Sequence, residues 1–146
     1  VLVGEIGGLS LISNATKIHT DYSFNVVNSY TVAFLHSLGV EKITLSYELT
    51  KEQIQNLVAS YEKRYHVLPN LEVITYGYIK IMTMKYNLQK DYQDEITIQD
   101  RFQNKYKTDN INGLTEVYYP KILDNRITDY YTIGINHIRY NLYKFK

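Results

Sequence analysis

Asn25–Tyr61 reads NVVNSYTVAFLHSLGVEKITLSYELTKEQIQNLVASY, a helix, a strand and a second helix in succession. Asn25-Val26-Val27-Asn28-Ser29 supplies N-cap side chains, whose oxygens accept from the free N–H groups of a first turn. Val26, Val27, Tyr30, Ala33, Phe34 and Leu38 then recur at the spacing of one helix face. Gly39 follows, where a C′ residue turns left-handed and stops the helix. Lys42–Leu45 (KITL) is a short strand. Thr50 opens the next helix with Glu52 and Gln53 in its first turn, close to a capping box. Ile54, Leu57, Val58 and Tyr61 form the apolar stripe of that helix.

Outward from this stretch the alternation continues. Leu71–Thr75 (LEVIT) reads as a strand that ends at Tyr76-Gly77. Upstream, Val1–Gly4 is an apolar strand running into a loop at Gly7-Gly8, Leu9–Asn14 offers one or two helical turns, and Lys17–His19 is a further strand candidate. Strand and helix alternating over short connections predict parallel strands joined by βαβ crossovers, an α/β fold. The second half reads as a more irregular, β-containing segment. Gln89–Gln93 is polar loop, Glu95–Arg101 (EITIQDR) and Leu114–Tyr119 (LTEVYY) alternate like strands, Ile122–Asn125 suits a short turn, and Ile133–Leu142 holds a last strand. A chain of 146 residues forms one domain. Its start inside a strand predicts a piece of a longer protein, with an open sheet edge at Val1–Gly4. Either a two-fold homodimer covers that edge, or the Leu114–Tyr119 and Ile133–Leu142 strands fold back over it.

Composition removes several function classes. Sixteen Lys and Arg against 15 Asp and Glu leave a net charge of +1, too little for bulk attraction to a polyanion, so nucleic acid is a weak candidate partner. The 16 tyrosines are scattered among mixed charges and read as core and surface residues before stacking platforms. The chain has no cysteine, which excludes disulfides, thiolate zinc sites, iron–sulfur ligation and a thiol nucleophile. His19, His36, His66 and His137 fall at no i,i+3 or i,i+4 spacing, so no metal and no cofactor are expected; His19, at a strand end, is the one placed near a pocket. No Gly-x-Ser-x-Gly elbow occurs, and Gly7-Gly8 lacks the dinucleotide spacing. No apolar run approaches the ~18 residues a membrane span needs, and the first residues carry Glu5 without a basic leader, so the expectation is a cytoplasmic protein that meets no membrane.

Within Asp21–Ile54 stand Ser23, Asn25-x-x-Asn28, a helix ending in Leu38-Gly39-Val40, a strand, and Leu45-Ser46-x-Glu48-Leu49. Glu72, Ile74 and Gly77 follow in a Glu-x-aliphatic-x-x-Gly arrangement, and Asp100-Arg101 comes later. This ordered set resembles the collagenase-like peptidase family U32, of unassigned catalytic type. The resemblance implies a (β/α) TIM-barrel-like fold, of which this chain supplies the later part, and peptidase activity on a peptide or protein. It also exposes a departure. Members carry cysteines after the signature glycine, where this chain has Lys80 and Asn87. Related members use such cysteines for an iron–sulfur cluster and hydroxylate RNA or quinone precursors. The second reading is therefore a homologue, non-catalytic or related to RNA modification, that binds a partner without a cluster.

Each candidate site residue has a functional and a structural reading. Glu48 follows a strand end, where (β/α) barrels place their chemistry, and suits a general base or a cation ligand; the alternative is a carboxylate favoured by the dipole at a helix entry. Asn25 and Asn28 could bond a substrate carbonyl, or cap a helix. Tyr76 and Gly77 close a strand, Gly77 permitting close approach of a ligand or of backbone. Asp100 and Arg101 could bind substrate charge, but neighbours on a strand face opposite ways unless the strand has ended. No nucleophile–base–orienter set is legible.

Overall fold

The computed structural model describes residues 1–12, 16–90 and 96–142. Its elements are β1 (Leu2–Val3), α1 (Ile6–Leu9), β2 (Ile18–Thr20), α2 (Ser29–Ser37), β3 (Val40–Thr44), α3 (Lys51–Tyr65), β4 (Leu71–Gly77), β5 (Lys80–Met84), β6 (Thr97–Gln99), β7 (Lys105–Ile111), β8 (Leu114–Tyr118), β9 (Leu123–Asp124) and β10 (His137–Asn141). They form two compact units. One is Val1–Ile74 with Arg126–Arg139; the other is Thr75–Asn125 with the segment from Tyr140. β4 and β10 each contribute to both units.

In the first unit β1, β2, β3 and β4 lie side by side in chain order, and every pair is parallel. The βαβ order expected from the sequence is present, and the fold is α/β. The sheet is open, with β10 beyond β4, and does not close into a barrel. Val3, Thr20, Ile43 and Leu71 stand in register across the four strands. Val3, Ile43 and Leu71 bury into one core with Val32, Leu35, Ile54, Leu57, Val58 and Tyr61 from the helices. Each such aliphatic side chain contributes about 1.5–3 kcal/mol on full burial.

The helices follow from local chemistry, with two corrections. α3 starts at a complete capping box: Gln53 N–H donates to Thr50 Oγ1 at 3.2 Å, and Thr50 N–H donates to Gln53 Oε1 at 2.9 Å. It buries the expected stripe of Ile54, Leu57, Val58 and Tyr61. α2 ends before Gly39, whose φ of 86° is left-handed. However, α2 buries Ser29, Val32 and Leu35 rather than the expected stripe, and Tyr30, Phe34 and Leu38 face outward. Val26 belongs to a parallel bridge with Leu45 instead of to the helix. At the start, the helical turn is Ile6–Leu9, across the glycines read as a loop, because Glu5 caps it by accepting from Gly7 N–H at 2.8 Å. Of the expected Leu9–Asn14 turn, residues 13 and 14 lie outside the described residues.

The second unit is more regular than expected. β5, β8, β7 and β6 make an antiparallel sheet in that order. β7 carries Lys, Thr, Asp and Asn with few apolar residues, which hid it, whereas β5 is a short run (KIMTM) close behind β4. The turn expected at Ile122–Asn125 is β9, antiparallel to the end of β4. The Glu95–Arg101 strand narrows to Thr97–Gln99, and Glu95 and residues 91–93 lie outside the described residues. Gly77 sits at φ 126°, and a Cβ there would collide with the backbone carbonyl of Asn141. Its close neighbour is therefore the protein's own β10.

Candidate functional site

Asn28 and Glu48, read from separate motifs, line one groove. Asn28 is the N-cap of α2, and Glu48 lies in the connection from β3 to α3. The groove, of about 540 Å³, runs between the first turns of α2 and the flank of α3. Val27, Leu49 and Leu57 supply aliphatic surface; Gln53, Asn56 and Ser60 add hydrogen-bonding side chains. Among the described lining residues Glu48 is the one carboxylate. Its backbone N–H donates to Ser46 Oγ at 3.4 Å, and its side chain is exposed. The lining thus sets carboxamides, hydroxyls and one carboxylate beside aliphatic surface.

The structural readings also hold in part. Asn28 Oδ1 accepts from Thr31 N–H at 2.9 Å and from Thr31 Oγ1 at 3.1 Å, so its oxygen is committed to capping. Ser29 Oγ, buried at the groove wall, accepts from Arg64 Nη2 at 2.9 Å. Asn25 is not among the groove's lining residues. It terminates the 3₁₀ turn Tyr22–Phe24 in the left-handed region at φ 50°, which Asn tolerates.

Tyr76, Asp100 and Arg101 belong to the second unit. Tyr76 is half-buried on β4 and packs edge-to-face on Tyr140, with centroids 6.2 Å apart. Asp100 and Arg101 lie past the end of β6, in the hairpin to β7. Asp100 accepts from Phe102 N–H, Asn104 N–H, Asn104 Nδ2 and the Tyr106 hydroxyl, all within 3.0 Å. The Asn104 side-chain bond, with the others behind it, holds the Asp100 carboxyl below its usual range. Arg101 lies over the Phe102 ring at 4.6 Å. Lys80 pairs with Glu116 at 2.8 Å, and Asn87 Oδ1 accepts from Asn110 Nδ2.

Sequence reasoning missed a charged cluster on the sheet face opposite the helices. His19 and Lys42 stand in register across β2 and β3, and Thr44 and Glu72 across β3 and β4. Glu72, buried, accepts from Lys42 Nζ at 2.6 Å and Thr44 Oγ1 at 2.9 Å, with Arg139 Nε at 3.5 Å. Arg139 Nη2 also donates to Asp21 Oδ1 at 2.5 Å. Burial pushes the Glu72 carboxyl up, but the bonds from Lys42 and Thr44 and the charges of Arg139 and Lys42 outweigh it, and the net shift is downward. Burial, then the Lys42 charge, lowers His19. A Glu inside the apolar run Leu71–Ile74 was the available signal. Among the described residues no cluster of three His, Asp or Glu could hold a metal, and no helix is long and apolar enough to cross a membrane.

Residues 1–108, about three quarters of the chain, match the profile of Peptidase family U32, and the chain belongs to that family. No curated protein and no solved structure matches it.

Proposed function

We propose that this member of peptidase family U32 handles polypeptide in the groove between α2 and α3, with Glu48 as its catalytic carboxylate. The observation that carries the reading is the convergence of Asn28 and Glu48 on one groove, each after a different parallel strand. The four strands are read as a segment of a (β/α) barrel, in which chemistry gathers at the carboxyl ends of strands. Aliphatic wall residues take a substrate side chain, and the Asn and Gln carboxamides bond its extended backbone. Glu48 removes a proton from water as the water oxygen bonds to the scissile carbonyl carbon. The proton then passes to the amide nitrogen as the C–N bond breaks. Asn25 enters as a further substrate contact on the family resemblance alone.

A fluorescein-labelled unfolded protein such as casein tests this. Glu48→Gln is expected to lower turnover by about 10²-fold or more while peptide binding persists. Cleavage by Glu48→Gln at the parental rate overturns it.

A second reading, peptide binding without turnover, is favoured by the engagement of Asn28 Oδ1 in capping and of Ser29 Oγ by Arg64. It predicts saturable peptide binding with no cleavage products.

A further inference from the structure

The groove between α2 and α3 has a cation at one end. Arg64 stands one turn beyond Ser60, the last α3 residue of the lining. Its Nη2 donates at 2.9 Å to Oγ of Ser29, a lining residue from α2. Two rings hold it as well: the guanidinium carbon lies 4.0 Å from the Tyr30 ring centroid and 5.9 Å from that of Tyr65. The residue is nevertheless exposed. A guanidinium carries five N–H donors. One is spent on Ser29, and the rest meet no acceptor among the described residues.

The missing partner is a carboxylate. Lys17, Lys42, Lys80 and Arg139 each pair with an Asp or Glu, whereas among the described residues no carboxylate lies within ion-pair distance of Arg64. An arginine that is fixed but unpaired suits a planar anion brought from outside. Part of its side-chain freedom is already lost, so less is lost when a carboxylate takes two parallel N–H···O bonds. Glu48 precedes α3 and Arg64 is in its last turn, so the groove is acidic where α3 begins and basic where it ends.

We infer that Arg64 receives a carboxylate of the bound polypeptide, either its C-terminal group or an Asp or Glu side chain. The inference rests on the groove being a polypeptide site, and it names the segment selected there. Gln53, in the first turn of α3, and Arg64 are eleven residues apart. That is about 16 Å along the helix, the length of about five residues of extended peptide. A carboxylate held by Arg64 therefore fixes which stretch of the polypeptide stands before Glu48.

Dansyl-labelled octapeptides of Gly, Ala, Ser and Leu, long enough to reach both ends, test this with the full chain. One has a free C-terminal carboxylate, one a C-terminal amide, and one is an amide with Glu as its last residue. In fluorescence titration at least one carboxylate-bearing peptide is expected to bind roughly tenfold or more tighter than the plain amide. Preference for the free acid assigns the C-terminal group, and preference for the Glu amide assigns a side chain. Arg64→Gln is expected to abolish the preference. Arg64→Lys is expected to keep part of it, because an ammonium supplies charge without the fork. Lys63→Gln removes an exposed charge one residue away and is expected to keep all of it. Equal binding of the three peptides overturns the inference and leaves the groove a polypeptide site. A preference that survives Arg64→Gln, or that Lys63→Gln removes as well, also overturns it. If none of the peptides binds, the groove reading falls and the inference with it. The comparison of the three peptides uses the unaltered chain, so it decides even where Arg64→Gln does not fold.

Discussion

Replacing Glu72 by Gln keeps the shape of the side chain and removes the charge that Lys42 and Arg139 share. Breaking a fully buried ion pair costs about 3–5 kcal/mol, because the remaining charge is left unpaired in a poor solvent. Two features reduce that here. Lys42 retains 18% of its side-chain exposure, and Arg139 keeps Asp21. The expected loss is about 2–3 kcal/mol, or about 6–9 °C in Tm for a chain of this length. Urea unfolding followed by circular dichroism measures it as a lower midpoint. Lys42→Met alone is expected to cost less, since Glu72 keeps Thr44 and Arg139. The double variant Lys42→Met with Glu72→Leu is expected to regain most of the stability, because neither half of the pair is then left alone. A loss under about 0.5 kcal/mol for Glu72→Gln, or simple additivity in the double variant, refutes the coupling and the cluster's energetic role.

Acid is expected to unfold the first unit in two stages. His19 is lowered in the fold, so the unfolded chain binds its proton first and stability falls as pH drops below the ordinary 6.5; the Glu72 carboxyl is also lowered, so its contribution is present above the ordinary carboxylate range and lost below it. A pH series of urea midpoints checks both, and Glu72→Gln is expected to remove the second stage. Thr50→Ala breaks the capping box and is expected to cost about 1 kcal/mol, read from the same unfolding curves. Gly77→Ala meets both the left-handed backbone and the Asn141 carbonyl, and is expected to cost more than about 2 kcal/mol or to release β10, seen as faster amide exchange at Tyr140 and Asn141.

The parts of the fold that were legible in the sequence are those whose signal is local. Thr50 and Gln53 are three residues apart, and the stripe of α3 repeats every turn, so start and buried face were read correctly. α2 misled because it has two apolar faces, and a serine and a histidine sit on the buried side; the more hydrophobic stripe is the one left outside. β7 was missed because an antiparallel strand needs no continuous apolar run and its polar residues outnumber its apolar ones, and β5 because it is a short run close behind β4. The groove was half legible: Asn28 and Glu48 lie in recognisable motifs, whereas Gln53, Asn56 and Ser60 look like any polar helix flank. The charged cluster had one local sign, Glu72 inside the apolar run Leu71–Ile74. Its members, Asp21, Lys42, Glu72 and Arg139, lie on four separate strands or strand ends and become neighbours only through register.

That dispersal bears on the order in which the chain can fold as it leaves the ribosome. Asp21 and Glu72 precede Arg139 in the chain, and each can pack beside its neighbours in the parallel sheet once β4 has emerged. Their common cation, Arg139, arrives 118 residues after Asp21. Until then Glu72 has Lys42 and Thr44 for company, and Asp21 faces water. The nascent sheet therefore passes through a stage in which α3 is capped and its stripe buried while the opposite face still lacks its last charge. Closing so long a loop is slow, and the unfinished sheet edge stays open to wrong partners in the interval.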